Sequence, residues 1–162
     1  MGTLKLLLNE FDAIDYHLIA IHSPIEDYRL AFFINKNFEV NLSRCEFDLQ
    51  IKQKNGNSSF SRFEYNDDSM DLNWNLIENK DQFELIDANT NKDLFSQSNT
   101  KFKSKAYFLP EFKKVDYFLK IEIAETKVNI AEIVSKINSI QYVTTVYELE
   151  TNKIKSKNNL IF

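Results

Sequence analysis

The sequence predicts an α+β fold: a mixed, largely antiparallel sheet of about seven to eight strands with two main helices packed on it, in the order β-α-β, meander, β-β-α-β. Three observations predict it. Short runs of alternating apolar and polar residues recur along the chain, as half-buried strands require. Two segments instead repeat their apolar residues at helical spacing. Polar turn signals separate these elements closely, with no linker and no internal repeat. Residues 1–162 are therefore expected to form a single domain, with a polar, Lys-rich C-terminal tail over 150–162.

Tyr16 to His22 is the first expected strand. Leu18, Ile19, Ala20 and Ile21 are apolar on both alternating faces, which predicts a central strand covered on both sides. Ser23-Pro24-Ile25-Glu26 follows and has the form of a capping box with proline at the first helical position. A helix is expected from Pro24 to about Asn37. At 100° per residue, Ile25, Tyr28 and Phe32 fall on one side, and Leu30, Phe33 and Ile34 spread around the other. An ordinary surface helix has one apolar stripe; this one has nearly two. Either it is buried on both flanks or one flank meets a partner, and Leu30, Phe33 and Ile34 are the expected interface.

Phe47, Leu49 and Ile51 alternate with Asp48 and Gln50. Asn55-Gly56 is a strong hairpin signal, since both turn positions need positive φ. Ser59 to Tyr65 returns as a strand, Asn66-Asp67-Asp68-Ser69 turns, and Leu72, Trp74 and Leu76 form a strand with one wet face. Asn79-Lys80-Asp81 turns again into Phe83 to Ile86, completing an antiparallel meander. Residues 87–103 read as a polar connection. Lys105 to Leu109 is a strand closed by Pro110. Val115, Tyr117, Leu119, Ile121 and Ile123 give five alternating apolar positions. Ile130, Ile133, Val134 and Ile137 then share a helical face, with Asn129, Glu132 and Lys136 pointing away. Tyr142 to Leu149 is the last strand. The strand–helix–strand from 115 to 149 is expected to be a right-handed crossover. Leu160-Ile161-Phe162 is expected to dock.

Composition excludes several chemistries. At 43% hydrophobic and 14% aromatic, the chain can bury a true core. Gly2 and Gly56 are the only glycines, so no Gly-rich loop is available to cradle a phosphate. Cys45 is the only cysteine, which excludes an intrachain disulfide and a thiolate zinc cluster and suits a reducing cytoplasm. Leu6-Leu7-Leu8 is followed at once by Asn9 and Glu10, short of a secretory apolar segment, and no run approaches a membrane span. Net charge is −4. Residues 1–100 hold nine basic and seventeen acidic side chains, and residues 101–162 hold eleven and seven. All eleven cations in the C-terminal third are Lys, which reads as a solvated face rather than a nucleic-acid surface.

Leu109-Pro110-Glu111-Phe112-Lys113-Lys114-Val115-Asp116-Tyr117 joins two of the expected strands. This segment resembles the bacterial IPExxxVDY family, which is named for the pattern, with Leu109 where the name has Ile. Phe118-Leu119-Lys120-Ile121-Glu122, Ala20-Ile21-His22-Ser23 and Asp27-Tyr28-Arg29-Leu30-Ala31 are also similar to that family. The resemblance implies a bacterial cytosolic protein and brings no catalytic residue, cofactor or substrate with it.

Candidate site residues follow from chemistry. Glu111 and Asp116 flank a turn, where two carboxylates can do acid–base work or hold a cation. Structurally, Glu111 can accept turn N–H groups, Asp116 can pair with Lys113 or Lys114, and Tyr117 can pack its ring and reach a partner at the rim. Leu109, Pro110 and Val115 shape the hairpin expected there. His22 ends a buried strand beside a helix N-terminus, with Glu26 and Arg29 within the next turns, and can serve as a neutral base or as a satisfied structural histidine. Asp87 to Asp93 mimics half of a calcium loop, but Lys92 replaces the turn glycine and Ser98 stands where a bidentate carboxylate belongs. No catalytic residue, metal or cofactor is assigned. The leading expectation is a non-catalytic interaction or assembly module, acting as a homo-oligomer or with a protein partner. The alternatives are a small-molecule-binding or enzymatic domain near 109–117 and His22, and RNA binding through the Lys-rich C-terminal third.

Overall fold

The computed structural model describes residues 16–54, 56–85, 102–123 and 128–162. Six of its strands form the main sheet: β1 (Tyr16–His22), β2 (Ser43–Arg44), β5 (Arg62–Asp67), β6 (Leu72–Glu78), β9 (Tyr117–Ile123) and β10 (Thr145–Leu149). Their order is β10-β1-β9-β6-β5-β2. β3 (Leu49–Gln53) pairs with β4 (Gly56–Phe60), and β7 (Lys80–Leu85) with β8 (Phe102–Tyr107), as two separate two-stranded sheets. The helices are α1 (Asp27–Phe38) and α2 (Ile130–Asn138). The fold is α+β.

The alternation within β1 and β9 divides the core in two. Ile19, Ile21, Tyr117, Leu119 and Ile121 face α1 and α2, where they meet Leu30, Ile34, Ile133 and Ile137. Leu18, Ala20 and Phe118 face the other way and meet Phe60 of β4, Ala106 of β8, and Ile154 and Leu160 of the tail. The molecule is therefore three layers deep: two helices, the six-stranded sheet, then the two small sheets with the tail. Leu18, Ile19, Ala20 and Ile21 are all 0% exposed, as their unbroken apolar run requires. Each large aliphatic side chain buried in this way contributes about 1.5–3 kcal/mol.

Several elements differ from expectation. The strands divide into six plus two pairs rather than one sheet of seven or eight, and every pairing is antiparallel. β1 lies between β9 and β10, so the two strands flanking α2 run parallel without touching. The run from Ser59 to Tyr65 breaks at Ser61, where the chain leaves the small β3–β4 sheet for the main one. Gln53 pairs with Gly56, which places Gly56 (φ 149°) in the ladder rather than in the turn; Asn55 lies outside the described residues. Phe47 precedes β3 and is 76% exposed. The last strand starts at Thr145, because Tyr142 turns the chain at φ 72°.

The capping box at Ser23 does not form. α1 starts at Asp27, Glu26 is its N-cap without a side-chain capping bond, and Pro24 lies outside the helix. Ser23 is engaged elsewhere: its hydroxyl donates to the Tyr142 carbonyl at 2.9 Å and its N–H to Asp116 Oδ2 at 2.9 Å. α2 is capped by a side chain, with Asn129 Oδ1 accepting from the Glu132 N–H at 3.2 Å. Its buried face is Ile130, Ile133 and Ile137.

Candidate functional site

Residues 109–117 do not form a hairpin. Pro110–Phe112 is a 3-10 turn on the path from β8, in a small sheet, to β9, between β1 and β6 in the main sheet. Proline suits the first position of such a turn, because its missing N–H has no partner to lose there. Leu109 and Val115 are buried at 0% and 1% and anchor the segment at both ends.

Asn79 holds this segment together. It sits between β6 and β7 and is 0% exposed. Its Nδ2 donates to the carbonyls of Phe112 at 2.9 Å and Val115 at 2.8 Å, and its Oδ1 accepts the Leu109 N–H at 2.9 Å. Its own N–H donates to the Asp116 carbonyl, and its carbonyl accepts from Phe108, each at 2.9 Å. One amide side chain thus satisfies three backbone groups that the turn leaves without sheet partners.

Each polar side chain of the segment reaches a different part of the chain. Glu111 Oε1 accepts the N–H groups of Lys155 and Ser156, both at 2.8 Å, and Oε2 accepts the Ser156 hydroxyl at 2.9 Å. Partial burial pushes the Glu111 carboxyl up, but these hydrogen bonds outweigh it and hold it below the usual carboxylate range. Asp116 Oδ2 accepts from Ser23, and Oδ1 lies 2.5 Å from Lys80 Nζ. The partner of Asp116 is therefore Lys80, not Lys113 or Lys114, which are both exposed. The Tyr117 hydroxyl donates to the Ile25 carbonyl at 2.5 Å, just ahead of α1. Burial raises the Tyr117 phenol well above its ordinary range, and the nearby carboxylates of Glu78, Asp27, Asp116 and Glu26 push the same way.

The β1–α1 junction does meet this segment, through the Asp116 N–H to the Ile21 carbonyl at 3.2 Å and through Ser23. The junction's side chains nevertheless diverge. His22 Nε2 lies 3.1 Å from the Tyr147 hydroxyl, with the rings 5.6 Å apart. Glu26 pairs with Arg29 at 3.4 Å, and the Arg29 guanidinium lies 5.6 Å from the Tyr142 ring. Clefts lined by described residues lie elsewhere. One, of about 530 Å³, lies beside Tyr16, His17 and Glu148; another, of about 250 Å³, lies between β3 and the tail. Neither is lined by His22, Glu26, Arg29, Glu111 or Asp116. Among the described residues, no three His, Cys, Asp or Glu side chains are grouped to hold a metal ion. The calcium-like run at Asp87–Asp93 lies outside them.

The residues expected to form an interface on α1 lie on its inward side. Leu30 and Ile34 are 0% exposed and pack on the sheet, and Phe33 is half-buried against the same core. The side that looks outward carries Tyr28 and Phe32, 61% and 62% exposed, one helical turn apart. Helical periodicity found two apolar stripes but could not say which one the sheet would cover.

Sequence reasoning missed two further residues. Asn79 reads as an ordinary turn residue. Lys120 sits on a strand with alternating polarity and reads as solvent-facing, yet it is 2% exposed. Its ammonium donates to the Leu160 carbonyl at 2.8 Å, pairs with Glu122, and lies 4.6 Å from the Phe162 ring. Cys45 is half-buried, with Sγ 3.9 Å from Glu64 Oε2. No helix among the described residues is long and apolar enough to cross a membrane.

Compared with known proteins, the chain matches no family model, no curated protein and no solved structure.

Proposed function

We propose that this chain is a non-catalytic protein-interaction or assembly module that docks through the outer face of α1. The observation that carries this reading is the Tyr28–Phe32 pair. Two large aromatic side chains stand more than half exposed on a regular helix whose opposite face is sealed in the core. Aromatic residues are enriched in the buried centres of protein interfaces, where they supply large contact area at small entropic cost. A bacterial cytoplasmic setting is what the resemblance of 109–117 to the IPExxxVDY family implies, and it rests on that resemblance alone.

The geometry favours this over a small-molecule or enzymatic site at 109–117 and His22. Glu111, Asp116, Tyr117 and His22 each hold a separate structural contact, and none of them lines either of the clefts described above. In the C-terminal third, Lys120 binds the tail and Lys153 pairs with Glu150 at 3.0 Å, which leaves the RNA reading without a specific observation in its favour.

The test compares the wild-type chain with Phe32→Glu as bait in the native host, after circular dichroism confirms an equal fold. Loss of the wild-type chain's associations in the variant supports the reading. Associations that survive Phe32→Glu unchanged refute it.

A further inference from the structure

We infer that the occupant of the α1 face is a second copy of this chain, docked antiparallel about a two-fold axis at Phe32. The inference rests on the interaction reading above and gives it a partner and a register. Tyr28, Phe32 and Lys36 follow one another at four-residue intervals, so they form a single stripe along the helix. All three side chains are exposed.

Within its own chain the stripe makes one ring contact, Phe32 edge-on to Phe33 at 5.7 Å, and its polar ends are unengaged, whereas the charged neighbours are paired. Asp27 pairs with Arg44 at 3.4 Å, and Arg29 pairs with Glu26 at 3.4 Å. Among the described residues, Lys36 has no ion pair and the Tyr28 hydroxyl has no hydrogen bond. A ring stands at one end of the stripe, a free cation at the other, and a ring between them.

That sequence of groups complements its own reverse. In an antiparallel pair centred on Phe32, each residue opposes the one equally far from the centre on the second copy. Phe32 then meets Phe32 of the second copy, in the offset or edge-on contact that aromatic rings prefer. Tyr28 meets Lys36 of the second copy, a cation over a ring face, and the two-fold makes that contact twice. A parallel pair would instead set Lys36 against Lys36, where like charges repel.

Area sets the strength. With each ring burying up to roughly 200 Å² when fully covered and more than half of it still free, the four rings of the pair supply about 500 Å². That is well short of the ~1,600 Å² of a standard interface. The dimer is therefore expected to be weak and concentration-dependent.

Sedimentation equilibrium on the full chain, over a concentration series reaching the sub-millimolar range, tests this. Wild type should self-associate, Phe32→Glu should be monomeric throughout, and Lys36→Glu should weaken association several-fold. Adding Tyr28→Lys to Lys36→Glu should restore it. The cation introduced at position 28 then opposes the carboxylate introduced at position 36 of the second copy, and does so only in the antiparallel register. A wild-type chain that stays monomeric overturns the second copy as occupant and leaves the interaction reading to its own test. A dimer that forms but is not restored by the double change overturns the register. A dimer indifferent to Phe32→Glu places self-association elsewhere and overturns the inference, and the host comparison with that variant decides the broader reading separately.

Discussion

Asn79 is the residue on which the most backbone depends. Three of its five hydrogen bonds are made by a fully buried side chain to the 109–115 segment. Asn79→Ala leaves the Val115 carbonyl and the Leu109 N–H unpaired, at about 1–3 kcal/mol for each group that water cannot reach, while the Phe112 carbonyl keeps the Val115 N–H at 3.1 Å. The expected loss in urea unfolding is about 2 kcal/mol or more, a large share of the stability of a marginal domain. Tyr117→Phe leaves only the Ile25 carbonyl unpaired and is expected to cost about 1–2 kcal/mol. Two carboxylates give opposite pH signatures. The folded-state pKa of Glu111 is lowered, so its contribution is present above the ordinary carboxylate range and fades as pH falls through the lowered value. Glu78 is raised, by burial and then by Asp27 and Asp81 against the Ser61 hydroxyl and Arg44. Its contribution is present below the ordinary range and is lost as pH rises through the raised value, so the ionised form opposes folding at neutral pH. Glu78→Gln should raise the urea midpoint at pH 7, and the gain should vanish in acid.

At the scale of elements, α1 separates two adjacent phenylalanines that composition treats alike. Phe33 packs on the core and Phe32 does not. Phe33→Ala should therefore cost about 1–3 kcal/mol in thermal or urea unfolding, while Phe32→Ala should stay within roughly 0.5 kcal/mol and act on association instead. The two helices also enter differently. α2 is capped by Asn129, which helical periodicity placed on its outward face rather than at its start. α1 begins late because Ser23, the residue expected to cap it, is claimed by Asp116 and Tyr142 from distant parts of the chain. Local propensity set out a capping box, and two long-range hydrogen bonds overrode it.

For the whole molecule, the tail is the part whose attachment can be loosened without opening the sheet. It covers the sheet face opposite the helices and is held by Glu111, by Lys120 and by Asn159 Nδ2 donating to the Phe108 carbonyl at 2.7 Å. Burial of Ile154 and Leu160 adds apolar anchorage. Glu111→Gln combined with Lys120→Met removes two of the charged anchors. Amide exchange should then rise across residues 155–162 while β1 and β9 stay protected, as expected of a locally opening unit. Equal exchange throughout the chain would mean that the tail and sheet unfold as one.

The α+β class, most strands, the doubly covered β1, the buried face of α2 and the twofold apolar surplus of α1 all follow from periodicity. Periodicity is a local signal that each segment carries on its own. Which stripe of α1 faces the sheet, where Ser23 and Asp116 find their partners, why Asn79 and Lys120 are buried, and how the strands divide among three sheets depend on residues tens of positions apart. Those contacts exist only after the chain has closed on itself. The sheet took the aliphatic stripe, Leu30 and Ile34, whose burial leaves no polar group without water, and so left Tyr28 and Phe32 facing out.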